Sequence, residues 1–298
     1  MKRPIVTLFP GQGAQFPGMG RDFFDAFEVA RHTFEEADDI LKRPLSRLIF
    51  EGPADELTLT KNAQVALYVT SIAMWRASGI RPDICAGLSL GEYTAITAAG
   101  IASFADLLPL VQLRGDAMHA ASERRPGTMA VVIGLSDFES LLPEGVSVAN
   151  CNCPGQIVIS GTAQGIEAAG PILKEAGAKR VLPLDVSGAF HSPLMQPAQE
   201  ALSEAIAALP MREGSAELVM NVPGDFVTDL GDVRTSLLRQ VTSPVYWERG
   251  IRAIAARGEA LYIEIGPGKT LTGMNKKIDS ALETLSIATV GDIDHAHR

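Results

Sequence analysis

Short, continuous apolar runs alternate along the chain with longer helical stretches. Residues 5–9 read as a buried strand that ends in Pro10-Gly11-Gln12-Gly13. Residues 19–41 and 62–78 read as helices. The second is apolar on every side (Ala63, Val65, Ala66, Leu67, Val69, Ile72, Trp75), which predicts a largely buried helix. An apolar run at 83–86 and an Ala-rich stretch at 92–99 predict a strand and a helix on either side of Gly87-Leu88-Ser89-Leu90-Gly91. Ser103 is placed to cap a helix running to about residue 121. This alternation predicts an α/β fold with a parallel sheet and helices on both faces.

The rhythm changes at Arg124-Arg125-Pro126-Gly127. From there, 128–134 reads as a strand and 136–142 as a short helix. Strands follow at 146–150 and 156–160, joined by a Cys-Asn-Cys-Pro-Gly turn, then a helix at 162–176 and a strand at 178–184. The order β-α-β-β-α-β is the ferredoxin-like pattern. It predicts a small inserted domain over 125–187, flanked by the two parts, 1–124 and 188–298, of a larger domain. Beyond it come a helix at 193–209, a strand near Leu218, helices at 233–241 and 247–256, and a strand at 260–265 before Gly266-Pro267-Gly268. The polar C-terminal tail with His295 and His297 is expected to lack order.

Composition narrows the classes. In 298 residues, 46% are apolar, enough for a sizeable core. The net charge of −9 argues against a general nucleic-acid binder, which needs a basic face. Three cysteines, Cys85, Cys151 and Cys153, make neither a disulfide framework nor a metal site. With no signal peptide at the N-terminus and no apolar run of bilayer length, a cytoplasmic protein is expected.

Gly87-Leu88-Ser89-Leu90-Gly91 reads G-x-S-x-G, a nucleophile elbow that presents a serine between a strand and a helix. A serine nucleophile needs a base, an oxyanion hole and a substrate site. Of five histidines, His32 and His119 fall in helical segments, and His295 and His297 in the tail. His191, in the loop Val186-Ser187-Gly188-Ala189-Phe190-His191-Ser192, is the candidate base. No Asp or Glu is marked as its partner; Asp185 is nearby but undistinguished.

Six blocks occur in one order: Phe9-Pro10-Gly11-Gln12-Gly13-Ala14-Gln15, Gly87–Tyr93 around the elbow, Gln112-Leu113-Arg114-Gly115, Asn150-x-Asn152-x-Pro154-Gly155-Gln156, Phe190-His191-Ser192, and Glu264-x-Gly266-Pro267-Gly268. Together they resemble the malonyl-CoA:acyl carrier protein transacylase family of type II fatty acid synthesis. The resemblance implies an α/β-hydrolase-like large domain carrying the inserted ferredoxin-like one. It implies a ping-pong acyltransferase in which Ser89 carries the malonyl group and His191 moves the proton. The backbone N–H groups of Gln12 and Leu90 would form the oxyanion hole. Arg114 would hold the malonyl carboxylate, a bidentate match for a guanidinium. Gln240 would stand near the histidine, whose partner in that family is an uncharged oxygen, and Asn152 would line the pocket.

The implied substrate is malonyl-CoA, the partner acyl carrier protein with its phosphopantetheine thiol, and no bound cofactor is called for. Arg124, Arg125, Lys179 and Arg180 are expected to form a basic patch for the acidic carrier. Nothing in the sequence demands more than a monomer. A discrete acyltransferase of a polyketide synthase or malonate decarboxylase system would share these residues. A plain serine hydrolase would need an acid partner for His191 and no Arg114, and a decayed binding scaffold is at odds with an intact Ser89, His191 and Arg114.

Overall fold

The structure is a computed structural model that describes residues 3–297. Its strands in chain order are β1 (Ile5–Phe9), β2 (Ile84–Gly87), β3 (Thr128–Ile133), β4 (Val146–Cys153), β5 (Gln156–Gly161), β6 (Arg180–Pro183), β7 (Glu217–Met220), β8 (Asp225–Val227), β9 (Leu261–Ile265) and β10 (Thr284–Ile287). Six of them form one sheet in the order β10-β9-β1-β2-β7-β8, parallel except for the β7–β8 pair. The sheet is therefore mixed rather than wholly parallel. The central strands β1 and β2 are buried on both faces, which is why they read as unbroken apolar runs.

The other four strands form an antiparallel sheet in the order β4-β5-β3-β6. Its side chains alternate with the period of a pleat. Ala130, Val132, Val148 and Ile159 pack with Ile166, Ala169 and Leu173 of the Ala163–Glu175 helix. Met129, Ala149 and Val158 turn the other way, into the main core. Cys151 N–H donates to Val245 O, and Val245 N–H donates to Ala149 O, tying this sheet to the rest of the chain.

The Thr60–Ser78 helix lies inside the main core, as its all-round apolar surface predicts. Ser103 Oγ accepts from Asp106 N–H and caps the Phe104–Arg124 helix, which runs three residues further than expected.

Several expectations need correction. The helix read over 19–41 is two helices, Arg21–Ala26 and Glu28–Leu41. Phe27 between them is extended, and its ring packs 6.2 Å from that of Phe23. The helix read over 136–142 shrinks to one turn of 3₁₀, Glu139–Leu141. Strand β4 runs on through Cys153, so the expected five-residue turn is only Pro154-Gly155. The C-terminal tail is ordered: Ile293–Ala296 is helical, Ala296 joins the core, and His297 Nε2 lies 2.7 Å from Ser78 O. Short elements, among them β8, β10 and the helices Leu45–Glu51 and Thr270–Ile278, were not read at all.

Candidate active site

Strands β1 and β2 end side by side, with Phe9 in register with Gly87. The Gly11-Gln12 loop and the Ser89 turn therefore leave the sheet together at its C-terminal edge. Ser89 has φ 51°, a left-handed conformation that a non-glycine residue adopts at a cost. Glycines make the turn possible. A Cβ on Gly87 would sit 1.9 Å from Gly91 O, and one on Gly91 would sit 2.1 Å from Phe9 O. Side-chain Oδ1 of Asn221 accepts the Ser89 N–H at 2.7 Å, while its Nδ2 donates to Gly87 O at 2.7 Å.

Ser89 Oγ lies 2.8 Å from His191 Nε2. The other ring nitrogen, Nδ1, lies 2.7 Å from the main-chain oxygen of Gln240. A carbonyl oxygen only accepts, so Nδ1 carries the proton and Nε2 is left to accept the serine hydroxyl. Burial, and then the positive charge of Arg114, push the His191 pKa down to about 4. The imidazole is thus neutral and ready to take a proton. Its partner is the uncharged oxygen expected, but it belongs to the main chain of Gln240, at the last residue of the Leu230–Gln240 helix. Asp185 is exposed at the cavity wall and takes no part in this pair.

Arg114 is 1% exposed, so it is no solvated surface arginine. Gly115 lets its helix approach the Thr60–Ser78 helix: a Cβ there would meet the Lys61 and Thr60 main chain at 3.1–3.2 Å. That approach brings Arg114 Nη1 to Gln64 Oε1 at 2.5 Å. Nη2 donates to Gln240 Oε1 at 2.9 Å and to Ser89 Oγ at 3.3 Å. The guanidinium also lies over the Tyr93 ring. These direct partners are neutral, and Nε has none. A buried cation with no carboxylate in direct contact is costly even with Glu92 behind Gln240, and a ligand carboxylate would relieve part of that cost.

These groups open on a cavity of about 420 Å³ lined by Gln12, Gln64, Ser89, Arg114, Asn152 and His191. Met118, Met129, Val158 and Phe190 give it apolar walls. Gln12 Nε2 donates to Thr60 Oγ1, leaving its main chain at the mouth of the elbow. Leu90, buried, starts the Gly91–Ala98 helix, whose N-terminus favours negative charge. Asn152 is buried and its Oδ1 has no partner among the described residues.

The four cations expected to form one patch do not meet. Arg124 and Arg125 precede β3, whereas Arg180 pairs with Ile133 at the far end of that strand, with Lys179 next to it. Five residue steps at about 3.3 Å put the two ends of β3 roughly 17 Å apart. Gln64, Glu92 and Asn221, which organise the site, were not singled out from the sequence. The signal for Glu92 was its place directly after the elbow; Asn221 carried none beyond following a strand. Among the described residues, no cluster of His, Cys, Asp and Glu could hold a metal ion, and no helix is long and apolar enough to cross a membrane.

The chain matches the acyl transferase domain family over residues 6–298. It is 47% identical over 304 residues to the malonyl CoA-acyl carrier protein transacylase of Bacillus subtilis, covering 98% of this chain and 96% of that one. The structure superposes on an acyl-carrier-protein S-malonyltransferase from Burkholderia pseudomallei with a TM-score of 0.93 at 41% identity, covering 98% of this chain and 99% of that one. A malonyl-transacylase solved in complex with a type II polyketide synthase acyl-carrier protein gives a TM-score of 0.94 at 37% identity, covering 98% of each chain.

Proposed function

Because the chain belongs to the acyl transferase domain family, and within it to the malonyl CoA-acyl carrier protein transacylases, we propose that it moves a malonyl group from malonyl-CoA to the phosphopantetheine thiol of an acyl carrier protein. The observation that carries this reading is the placement of a buried Arg114, with no carboxylate in direct contact, within hydrogen-bonding distance of a serine already paired with a neutral histidine.

In the first half-reaction, Ser89 Oγ attacks the thioester carbonyl while His191 Nε2 takes the hydroxyl proton. The carbonyl oxygen becomes an oxyanion facing the main-chain N–H groups of Gln12 and Leu90. The C–S bond then breaks, and the sulfur leaves as a thiol with the proton from His191. In the second half-reaction the carrier's thiol gives its proton to His191 and attacks the malonyl ester. The ester C–O bond breaks and Ser89 recovers its proton.

Arg114 sets the acyl group. Three of its five N–H donors are engaged, one to Gln64, one to Gln240 and one to Ser89 Oγ. A proton on Nη1 remains, and the one on Nη2 is released when Ser89 turns to its substrate. Together they suit the two oxygens of a malonyl carboxylate. Asn152 Oδ1 offers an acceptor to the incoming acyl or pantetheine group.

We read residues 125–187 as a ferredoxin-like lobe inserted in an α/β-hydrolase-like domain formed by 1–124 and 188–298; the strand order β4-β5-β3-β6 supports the former. The proposed enzyme is a cytoplasmic monomer without a cofactor of its own. Lys179 and Arg180 are its proposed contacts for the carrier.

Incubation with radiolabelled malonyl-CoA tests the reading. Label is expected on the wild type, absent on Ser89→Ala, and passed to added holo carrier protein. Free malonate as the main product would show a hydrolase instead.

A further inference from the structure

The serine, the imidazole and the guanidinium all rest on a carboxylate that the transfer chemistry does not use. Glu92 is fully buried and does not line the cavity. Its Oε1 accepts the main-chain N–H of Asn221 at 2.7 Å, and its Oε2 accepts from Gln240 Nε2. From these two residues the network reaches every reacting group. Asn221 holds the Ser89 N–H and the Gly87 carbonyl. Gln240 Nε2 also donates to Ser89 O at 2.9 Å, its Oε1 accepts from Arg114 Nη2, and its main-chain oxygen accepts from His191 Nδ1.

The direction of each bond follows from chemistry. Arg114 can only donate, and an ionised Glu92 can only accept. Gln240 therefore has one workable amide orientation, with its oxygen toward Arg114 and its nitrogen toward Glu92. Burial pushes the Glu92 pKa up to about 7, against the pull of Asn221, Gln240 and the Arg114 charge, so the carboxylate depends on those neighbours as they depend on it.

We propose that Glu92 is a positioning residue that acts through Gln240 to aim the Arg114 guanidinium at the acyl carboxylate, and through Asn221 to hold the Ser89 turn. The proposal rests on the acyl-transfer reading above. Glu92→Gln keeps the size of the side chain but turns one acceptor into a donor. Its new NH₂ faces either the Asn221 N–H or Gln240 Nε2. Relief by turning the Gln240 amide over sets the Gln240 NH₂ against Arg114, which then swings from its place. The loss falls most heavily on an acyl group that needs Arg114.

The test compares malonyl-CoA with acetyl-CoA as donors for wild type, Glu92→Gln, Gln240→Met and the double variant. Active sites are first titrated with a fluorophosphonate that reacts with Ser89, so that unfolded protein is not counted. The malonyl-to-acetyl ratio of kcat/KM is expected to fall about tenfold in Glu92→Gln, on the scale of one charge-assisted hydrogen bond. It should fall at least as far in Gln240→Met, and no further in the double variant, because both changes break one path. An unchanged ratio in Glu92→Gln, or losses that add in the double variant, would overturn the proposal. Equal loss for both donors, which a merely structural role predicts, would do the same. If Glu92→Gln does not fold, Gln240→Met still decides, since an unchanged ratio there breaks the path from Glu92 to Arg114. Wild type without malonyl label would overturn the acyl-transfer reading and this proposal with it; labelled wild type with an unchanged ratio would overturn this proposal alone.

Discussion

His191 is held neutral by burial and by the nearby Arg114 charge, and both effects have a measurable sign. In the proposed mechanism the neutral imidazole is the active form, so lowering its pKa extends activity toward acid. For the free enzyme, the acid limb of kcat/KM with acetyl-CoA is expected well below the ordinary histidine value of about 6.5, near the depressed value of about 4. Arg114→Ala removes one of the two causes, so the limb should shift up toward 6.5. A limb that stays in place would show that Arg114 does not act on the imidazole. The same variant is expected to lose malonyl transfer by about 10-fold to 100-fold, the span of one charge-assisted contact, while acetyl transfer rises. Ser89 was legible from its elbow and His191 from its loop between a strand and a helix, whereas Arg114 was marked only by the family resemblance of its block. Their supports were not legible. Asn221 is 132 positions from Ser89, and nothing local marks the pairing. The oxygen that holds His191 belongs to a main chain, which every residue has, so no side-chain type could announce it.

Elements place these residues, and the turns and caps that build the elements can be tested one at a time. Gly91 is hemmed in by Phe9 O, 2.1 Å from where a Cβ would stand. Gly91→Ala must therefore push the elbow away from β1, and the malonyl label is expected to vanish. Gly273 has open space around its missing Cβ and lies inside a helix, so Gly273→Ala should leave labelling unchanged. Label on Gly91→Ala at wild-type level would show that the elbow tolerates the shift. A milder test concerns the Leu230–Gln240 helix, whose last residue holds both His191 and Arg114. Asp229 caps it by accepting from Gly231 and Asp232 N–H. Asp229→Ala is expected to cost about 1 kcal/mol of stability. A thermal melt should show a Tm lower by about 2–4 °C. Malonyl transfer should persist, because Val233 and Leu237 still bury the helix. Long, strongly patterned elements such as Thr60–Ser78 and Phe104–Arg124 were readable for the same reason that they are stable: their burial is written in residue type. Three-residue β8 and the single turn at Glu139–Leu141 hold too few residues to show a period, so tertiary contacts decide them.

At the scale of the whole molecule, the question is how a chain with net charge −9 attracts an acidic partner. A local concentration of cations must outweigh the mean field. Lys179 and Arg180 are the proposed source, exposed at the start of β6 beside Ile133. Gln156 pairs with Ile133 as well, and Lys277 Nζ lies 3.3 Å from Gln156 Oε1. Lys277 belongs to the Thr270–Ile278 helix, whose Thr270 and Met274 line the cavity. Three cations thus share the Ile133 end of the small sheet, while Arg124 and Arg125 stand at its opposite end, the end from which Met129 and Leu184 line the cavity. Exchange of Lys179 and Arg180 for Glu is expected to raise KM for holo carrier protein about tenfold at low salt. KM for malonyl-CoA should stay the same, since neither residue lines the cavity. The same exchange at Arg124 and Arg125 should change either constant by less than about twofold. Raising the ionic strength should narrow the difference between wild type and the Lys179/Arg180 variant, because exposed charges are screened within about 10 Å at 0.1 M. Equal effects from the two pairs, or a KM for malonyl-CoA that rises together with that for the carrier, would place the docking surface elsewhere.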